Sequence, residues 1–198
     1  MKSRLGPTLL CALLGGAVSL TTCASLPDPV TARADPPSSG NSAAVVQRVL
    51  ELVNAARAQM RSCGRDGFEP APPLTMATAL TAAASLHSLD IAARGELSHD
   101  GSDGSDSGER MTRAGYTWQI SGENVAAGQP DAEAVVAAWL SSPGHCATLM
   151  DARYTETGIA FALAPGKNPA VYWTQDFAAP TAIDGGSAGN AGGNFRPR

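Results

Sequence analysis

Between residues 44 and 180 the sequence has no Gly-x-Ser-x-Gly elbow, no His-Glu-x-x-His helix and no Gly-rich phosphate loop. Those absences remove serine-hydrolase, zincin and nucleotide-phosphate chemistry as starting points. Basic clusters are lacking too. Lys and Arg are scattered and the formal charge is −4, whereas a nucleic-acid binder shows a basic face, so no nucleic-acid partner is expected. After Leu20 no apolar run approaches the roughly 20 residues a membrane-spanning helix needs. Histidine and cysteine are scarce, with three of the first and four of the second. Any site built from them is therefore short enough to name in full.

The N-terminus carries Lys2 and Arg4, then an uncharged apolar run from Leu5 to Leu20. That is the layout of a secretory signal, and Gly6, Pro7, Gly15 and Gly16 make it a poor membrane anchor. The small-x-small triplet Ala32-Arg33-Ala34 predicts cleavage there, giving a signal peptide over residues 1–34. The alternative is the lipoprotein-like Leu20-Thr21-Thr22-Cys23, whose lipidation at Cys23 would leave the following residues as a tether. Either way the chain reads as exported, secreted or periplasmic. Cys11 and Cys23 fall in the leader, so Cys63 and Cys146 remain as an even pair, which in an exported chain reads as a disulfide.

Residues 35–43, rich in Pro, Ser and Gly, read as a flexible linker, and residues 181–198, rich in Gly, Ala and Asn, as a disordered tail. The folded domain is expected over residues 44–180. Val46, Val49, Leu50, Val53 and Met60 follow helical spacing, with Asn41 or Ser42 as cap. A second helix follows Pro72-Pro73, with Thr75 as cap, an apolar face of Leu80, Ala83, Ala84, His87 and Ile91, and a stop at Gly95. A third covers Ala132 to Leu140 and ends at Pro143-Gly144. The period then switches: Thr157, Ile159, Phe161 and Leu163 alternate, as do Val171, Trp173, Gln175 and Phe177, which predicts a hairpin. Gly122 to Ala127 reads as a further strand. Helices first and an antiparallel hairpin last predict an α+β domain.

Polar islands interrupt this frame. His99 lies in Leu97-Ser-His-Asp-Gly101, His145 in Ser142-Pro-Gly-His-Cys146, and Glu123 in Ser121-Gly-Glu-Asn124, the first two loop-like and the third at the start of an apolar strand. Loops on a rigid scaffold are common places for sites. His87 sits on an apolar helix face and reads as a hydrogen-bonded core histidine. Asp100, Asp103, Asp106 and Glu109 are three apart, which does not match an EF-hand loop, so they read as a solvated loop with Arg110 paired to one of the acids. The residues Trp118, Trp139, Trp173, Tyr116, Tyr154 and Tyr172 read as core and cleft wall. Cys146 could serve as a nucleophile only if it is not tied to Cys63.

PPLTMATALTAAASLHSLDIAARGELSHDGSDG, ERMTRAGY, GENVAAG, SPGHCATLMDARYTETGIA and YWTQDF occur in this order. The chain resembles the bacterial form of the CAP superfamily, also called the SCP domain (cysteine-rich secretory, antigen 5 and pathogenesis-related proteins), over about Val45 to Pro180. The resemblance implies a three-layer α-β-α sandwich with a central antiparallel sheet. It also implies exported, often disulfide-bonded proteins that act more as binding modules than as enzymes. A cleft lined by His99, Glu123, His145 and Asn124 is then expected. Its ligand would be a small apolar molecule, lipid or sterol-like, or an extracellular protein partner.

In the family two histidines and two acids can hold a divalent metal. Carried over, His99, Glu123 and His145 are the tentative ligands for zinc or magnesium, with an open position for water. The fourth position departs from the family pattern, because Trp139 is followed by Leu140, Ser141 and Ser142, and serine is a poor ligand; Glu156 or Asp176 are the candidates to replace it. A metal-dependent hydrolase acting on peptide or cell-wall bonds is the alternative function, and a purely structural extracellular domain the third.

Overall fold

The computed structural model describes residues 41–181. The expected signal peptide, residues 35–40 of the linker and residues 182–198 of the tail lie outside the described residues, whereas Ser42 and Ala43, expected in the linker, are already helical. Chain order begins with helix α1 (Ser42–Arg57), a small hairpin of β1 (Arg61–Cys63) and β2 (Asp66–Phe68), the two-residue strand β3 (Thr75–Met76) and helix α2 (Thr78–Arg94). Then come α3 (Ser107–Arg113), β4 (Trp118–Ala127), α4 (Ala132–Ser141), α5 (Pro143–Met150), β5 (Glu156–Leu163) and β6 (Val171–Pro180). No described helix is long and apolar enough to cross a membrane.

The strands β3, β5, β6 and β4 form one sheet in that order, antiparallel except where β3 lies parallel to β5 at one edge. Side chains alternate across a strand, so each face of β5 and β6 can meet a different layer. On one face Ile159, Trp173 and Phe177 join Val49 and Val53 of α1, Val135 and Trp139 of α4 and Leu149 of α5 in the largest apolar cluster. On the other face Ala178 packs with Leu80 and Ala83 of α2 and Met111 of α3, and Ala162 and Tyr172 pack with Ile91 and Ala92 of α2. The domain is thus a helix–sheet–helix sandwich of the α+β class. The many alanines of α2 let its backbone approach the sheet closely. Gly158 on β5 lies directly beneath the Leu80–Thr81 peptide, where a Cβ would have no room.

Most of the expected elements form, with three differences. Met60 lies beyond α1 and is exposed. Thr75 is in β3 and caps nothing; Ala77 precedes α2 without a side-chain cap. Gly95 does end α2, in the left-handed conformation with φ 75°. Pro143-Gly144 does not end the helical region but opens α5, because proline suits the first helical position, where its missing N–H costs nothing. His145 therefore stands on the first turn of a helix and not in a loop.

Arg57, at the end of α1, is fully buried without a carboxylate partner. Its guanidinium donates to the carbonyls of Pro72, Leu149, Asp151 and Tyr154, tying α1 to the chain before β3 and to the α5–β5 connection. Cys63 and Cys146 form the expected disulfide, with Cα atoms 5.4 Å apart. It joins the β1–β2 hairpin to α5, so Cys146 is not a free nucleophile.

Candidate functional site

Strand β4 forms the sheet edge opposite β3, and the polar island Gly-Glu-Asn lies on it. Glu123 pairs in register with Asp176 of β6, and Asn124 with Gln175. Successive residues face opposite ways, so Glu123 points into the α2–α3 layer and Asn124 towards α5.

Glu123 has only 2% of its side chain exposed. Oε1 accepts from His99 Nδ1 at 2.8 Å, and Oε2 accepts from Arg110 Nη2 at 2.6 Å. His87 Nε2 is 3.8 Å from the same Oε2 and donates to the Ser98 carbonyl at 2.9 Å. Arg110 also donates through Nη1 to the Ser105 carbonyl at 2.7 Å. Its helix, α3, starts with a reciprocal capping box between Asp106 and Glu109. Arg110 thus serves Glu123 rather than one of the loop acids. Asp103 pairs with Arg113, and Asp106 is the helix cap.

Beneath Glu123, Asp176 is completely buried and neither carboxyl oxygen receives a hydrogen bond from a neighbouring donor. Burial, reinforced by the negative charge of Glu123, holds its carboxyl well above the ordinary carboxylate range. Its carboxyl is thus biased towards the neutral form, while Arg110 pairs with Glu123 on the neighbouring strand.

The two cleft histidines are held differently. The His99 side chain is 58% exposed and anchored by Nδ1; its hydrogen bond to Glu123 raises its pKa above the usual histidine value. His145 is held by its backbone, because Asn124 Nδ2 donates to its carbonyl at 3.1 Å. Burial lowers the His145 pKa, and the charge of His99 lowers it further. His87 is a core histidine as expected, buried and pushed towards the neutral form by burial.

Of the expected cleft residues, Glu123 and His99 touch directly and Asn124 carries His145. Glu156 is elsewhere, accepting from the Tyr116 hydroxyl. As arranged, His99, Glu123 and His145 do not make a ligand set for zinc or magnesium. Both oxygens of Glu123 are engaged, one by a cation, and among the described residues no three of His, Cys, Asp and Glu are grouped to hold a metal. Sequence reading missed Arg110 as a member of the cluster and considered Asp176 only as a substitute metal ligand. Asp176 had a further signal: it shares its strand face with Tyr172, Thr174 and Ala178, all buried, where a lone acid demands a partner. Arg110 had none, since the acids nearest in sequence are not its partner.

The family model of the cysteine-rich secretory proteins, CAP, matches residues 50–177. The chain belongs to this family. Within it, the CAP domain is 28% identical over 131 residues to the protein YkwD of Bacillus subtilis, covering 66% of this chain and 46% of the relative. It therefore spans about half the length of that relative. An extracellular SCP-domain protein of Bacillus anthracis superposes with a TM-score of 0.59 at 25% identity, covering 72% of this chain and 44% of the other. An outer surface protein of Borrelia burgdorferi has the same fold, with a TM-score of 0.54 at 16% identity over 68% of this chain and 95% of the other.

Proposed function

We propose that this CAP domain is an exported, non-catalytic binding module, and that a small apolar ligand with a polar head docks between His99 and His145 at the β4 edge. The observation that carries this reading is the state of Glu123. Both of its oxygens are taken by His99 and Arg110 in a nearly closed environment, so it is unavailable as a general base and acts as an anchor. The anchored His99 then turns the rest of its ring to solvent, where Nε2 can meet a polar head. Leu97, two residues earlier and about half exposed, supplies apolar surface beside it. The disulfide supports export, since such bonds persist in oxidising compartments. Hydrolysis through a metal-bound water would need Glu123 free to hold the metal, and it is not.

Organic extraction of the protein purified from its exported form, followed by mass spectrometry, tests the proposal. A bound apolar molecule is expected, and less of it in His99→Ala. A protein that neither carries nor takes up a fatty acid or sterol offered in solution overturns it.

A further inference from the structure

We propose that the outer face of α2 is a self-association surface: α2 of one copy of this chain packs antiparallel against α2 of a second copy, about a two-fold axis between Leu86 and Leu89. The inference stands whichever ligand the cleft takes.

Helix α2 carries two apolar faces. Leu80, Ala83, Ala84 and Ile91 form the inner one and are buried. On the opposite side Leu86 and Leu89 are 67% and 60% exposed, and Ala82 and Ala93 are exposed at either end of them. Positions 82, 86, 89 and 93 are four, three and four apart, the spacing of a seam that lets one helix pack along another. A single exposed leucine needs no explanation, but two neighbours in one stripe about three turns long make a patch. Leu86 also stands beside a cavity of about 330 Å³ whose walls include Ala82 of the same helix and Ala114 at the end of α3, a recess for a leucine arriving from outside.

The symmetry of the stripe identifies its occupant as a second copy. It runs Ala-Leu-Leu-Ala in either direction, and a closed two-fold interface requires a patch that complements itself. In an antiparallel pair centred between residues 87 and 88, Leu86 meets the partner's Leu89 and Ala82 meets the partner's Ala93. The small residues at both ends let the helices approach closely. Charge agrees with this register, which sets Asp90 against the partner's Ser85 and Arg94 against the partner's Thr81, so no like charges face each other. Asp90 and Arg94 already pair within each copy, which leaves the flank neutral although the whole chain carries −4. A stripe of four residues covers less than the ~1,200 Å² that stable interfaces bury, so the association is weak and depends on concentration.

Sedimentation velocity on the full exported chain between about 10 µM and about 1 mM reads this out, a range suited to interfaces below standard size. The weight-average mass is expected to rise towards twice that of the monomer. Leu86→Glu combined with Leu89→Glu, both at exposed positions, should hold it at the monomer value throughout, with unchanged circular dichroism. Oxidative cross-linking tests the register, since Cys63 and Cys146 are buried and already bonded. Ala82→Cys mixed with Ala93→Cys should give covalent dimers. Either variant alone should not, because like positions then stand eleven residues, about 16 Å, apart along the helices. A wild type that stays monomeric at about 1 mM, association undiminished in the double glutamate variant, or equal cross-linking of each cysteine variant alone would each overturn the proposal. So would a monomer whose Leu86 and Leu89 resonances shift on adding phosphatidylcholine vesicles, which would give the face to a lipid surface.

Discussion

Glu123 and Asn124, consecutive on β4, hold the two cleft histidines from opposite faces of the sheet. Glu123 fixes the His99 ring at 2.8 Å, and Asn124 fixes the His145 backbone at 3.1 Å. The distance between the histidines therefore depends on the pleat of one edge strand, and the two anchors can be separated by mutation.

Asn124→Ala should release His145 while leaving His99 in place. The lost hydrogen bond is to a part-buried carbonyl inside α5, so a cost of about 0.5–1.5 kcal/mol is expected in urea unfolding. Amide exchange should accelerate at Gly144 to Cys146 more than in α2. Equal acceleration in both would mean that Asn124 supports the whole domain instead of one histidine.

The His99–Glu123 bond makes stability depend on pH with a definite sign. The folded pKa of His99 lies above its unfolded value of about 6.5, so the bond's contribution is complete below that value and fades as pH rises through the folded pKa. Glu123→Gln should lower the His99 pKa in an NMR titration. His145 behaves oppositely: burial, then the charge of His99, keep it neutral until the pH falls below 6.5, and His99→Ala should raise its pKa. An unmoved His145 would show that the rings do not sense each other.

Arg57→Met removes the donors for four carbonyls at once. A loss of more than ~3 kcal/mol in chemical denaturation is expected, since each stranded buried group carries a desolvation cost. Arg57→Lys should recover only part of it, because a compact ammonium cannot span the positions that a planar guanidinium reaches.

Gly158→Ala should abolish folding or force α2 off the sheet. The new methyl would overlap the Leu80 carbonyl group and the Thr81 nitrogen, main-chain atoms that cannot move without shifting the helix. Circular dichroism and solubility check this, and a native-like Tm would contradict the close approach.

The disulfide closes residues 83 apart in sequence. The chain-entropy model gives roughly 4–5 kcal/mol for a loop of that length. Cys63→Ser should lower Tm and, because Cys146 follows His145 on α5, raise hydrogen exchange around His145 before global unfolding. Unchanged protection of α5 in the variant would limit the bond's role to the unfolded chain.

Much of the frame was legible in the sequence because its signals are local. The apolar period of α2, the glycine that ends it and the alternation of β5 and β6 are properties of neighbouring residues. The two errors at helix starts have local causes as well. Thr75 was read as a cap where the chain first pairs with β5, a partner about 80 residues away, and Pro143 was read as a stop where it begins a new helix.

The site divides in the same way. His99, Glu123, His145, the cysteine pair and their place in the CAP family follow from motifs in the sequence alone. Only the tertiary structure decided that Arg110 turns from the nearby acids to Glu123, that Asp176 lies fully buried beside Glu123, and that Asn124 reaches α5. These depend on strand register and on which helix covers which face. A buried charge takes the partner that packing places beside it, and sequence separation does not measure that distance.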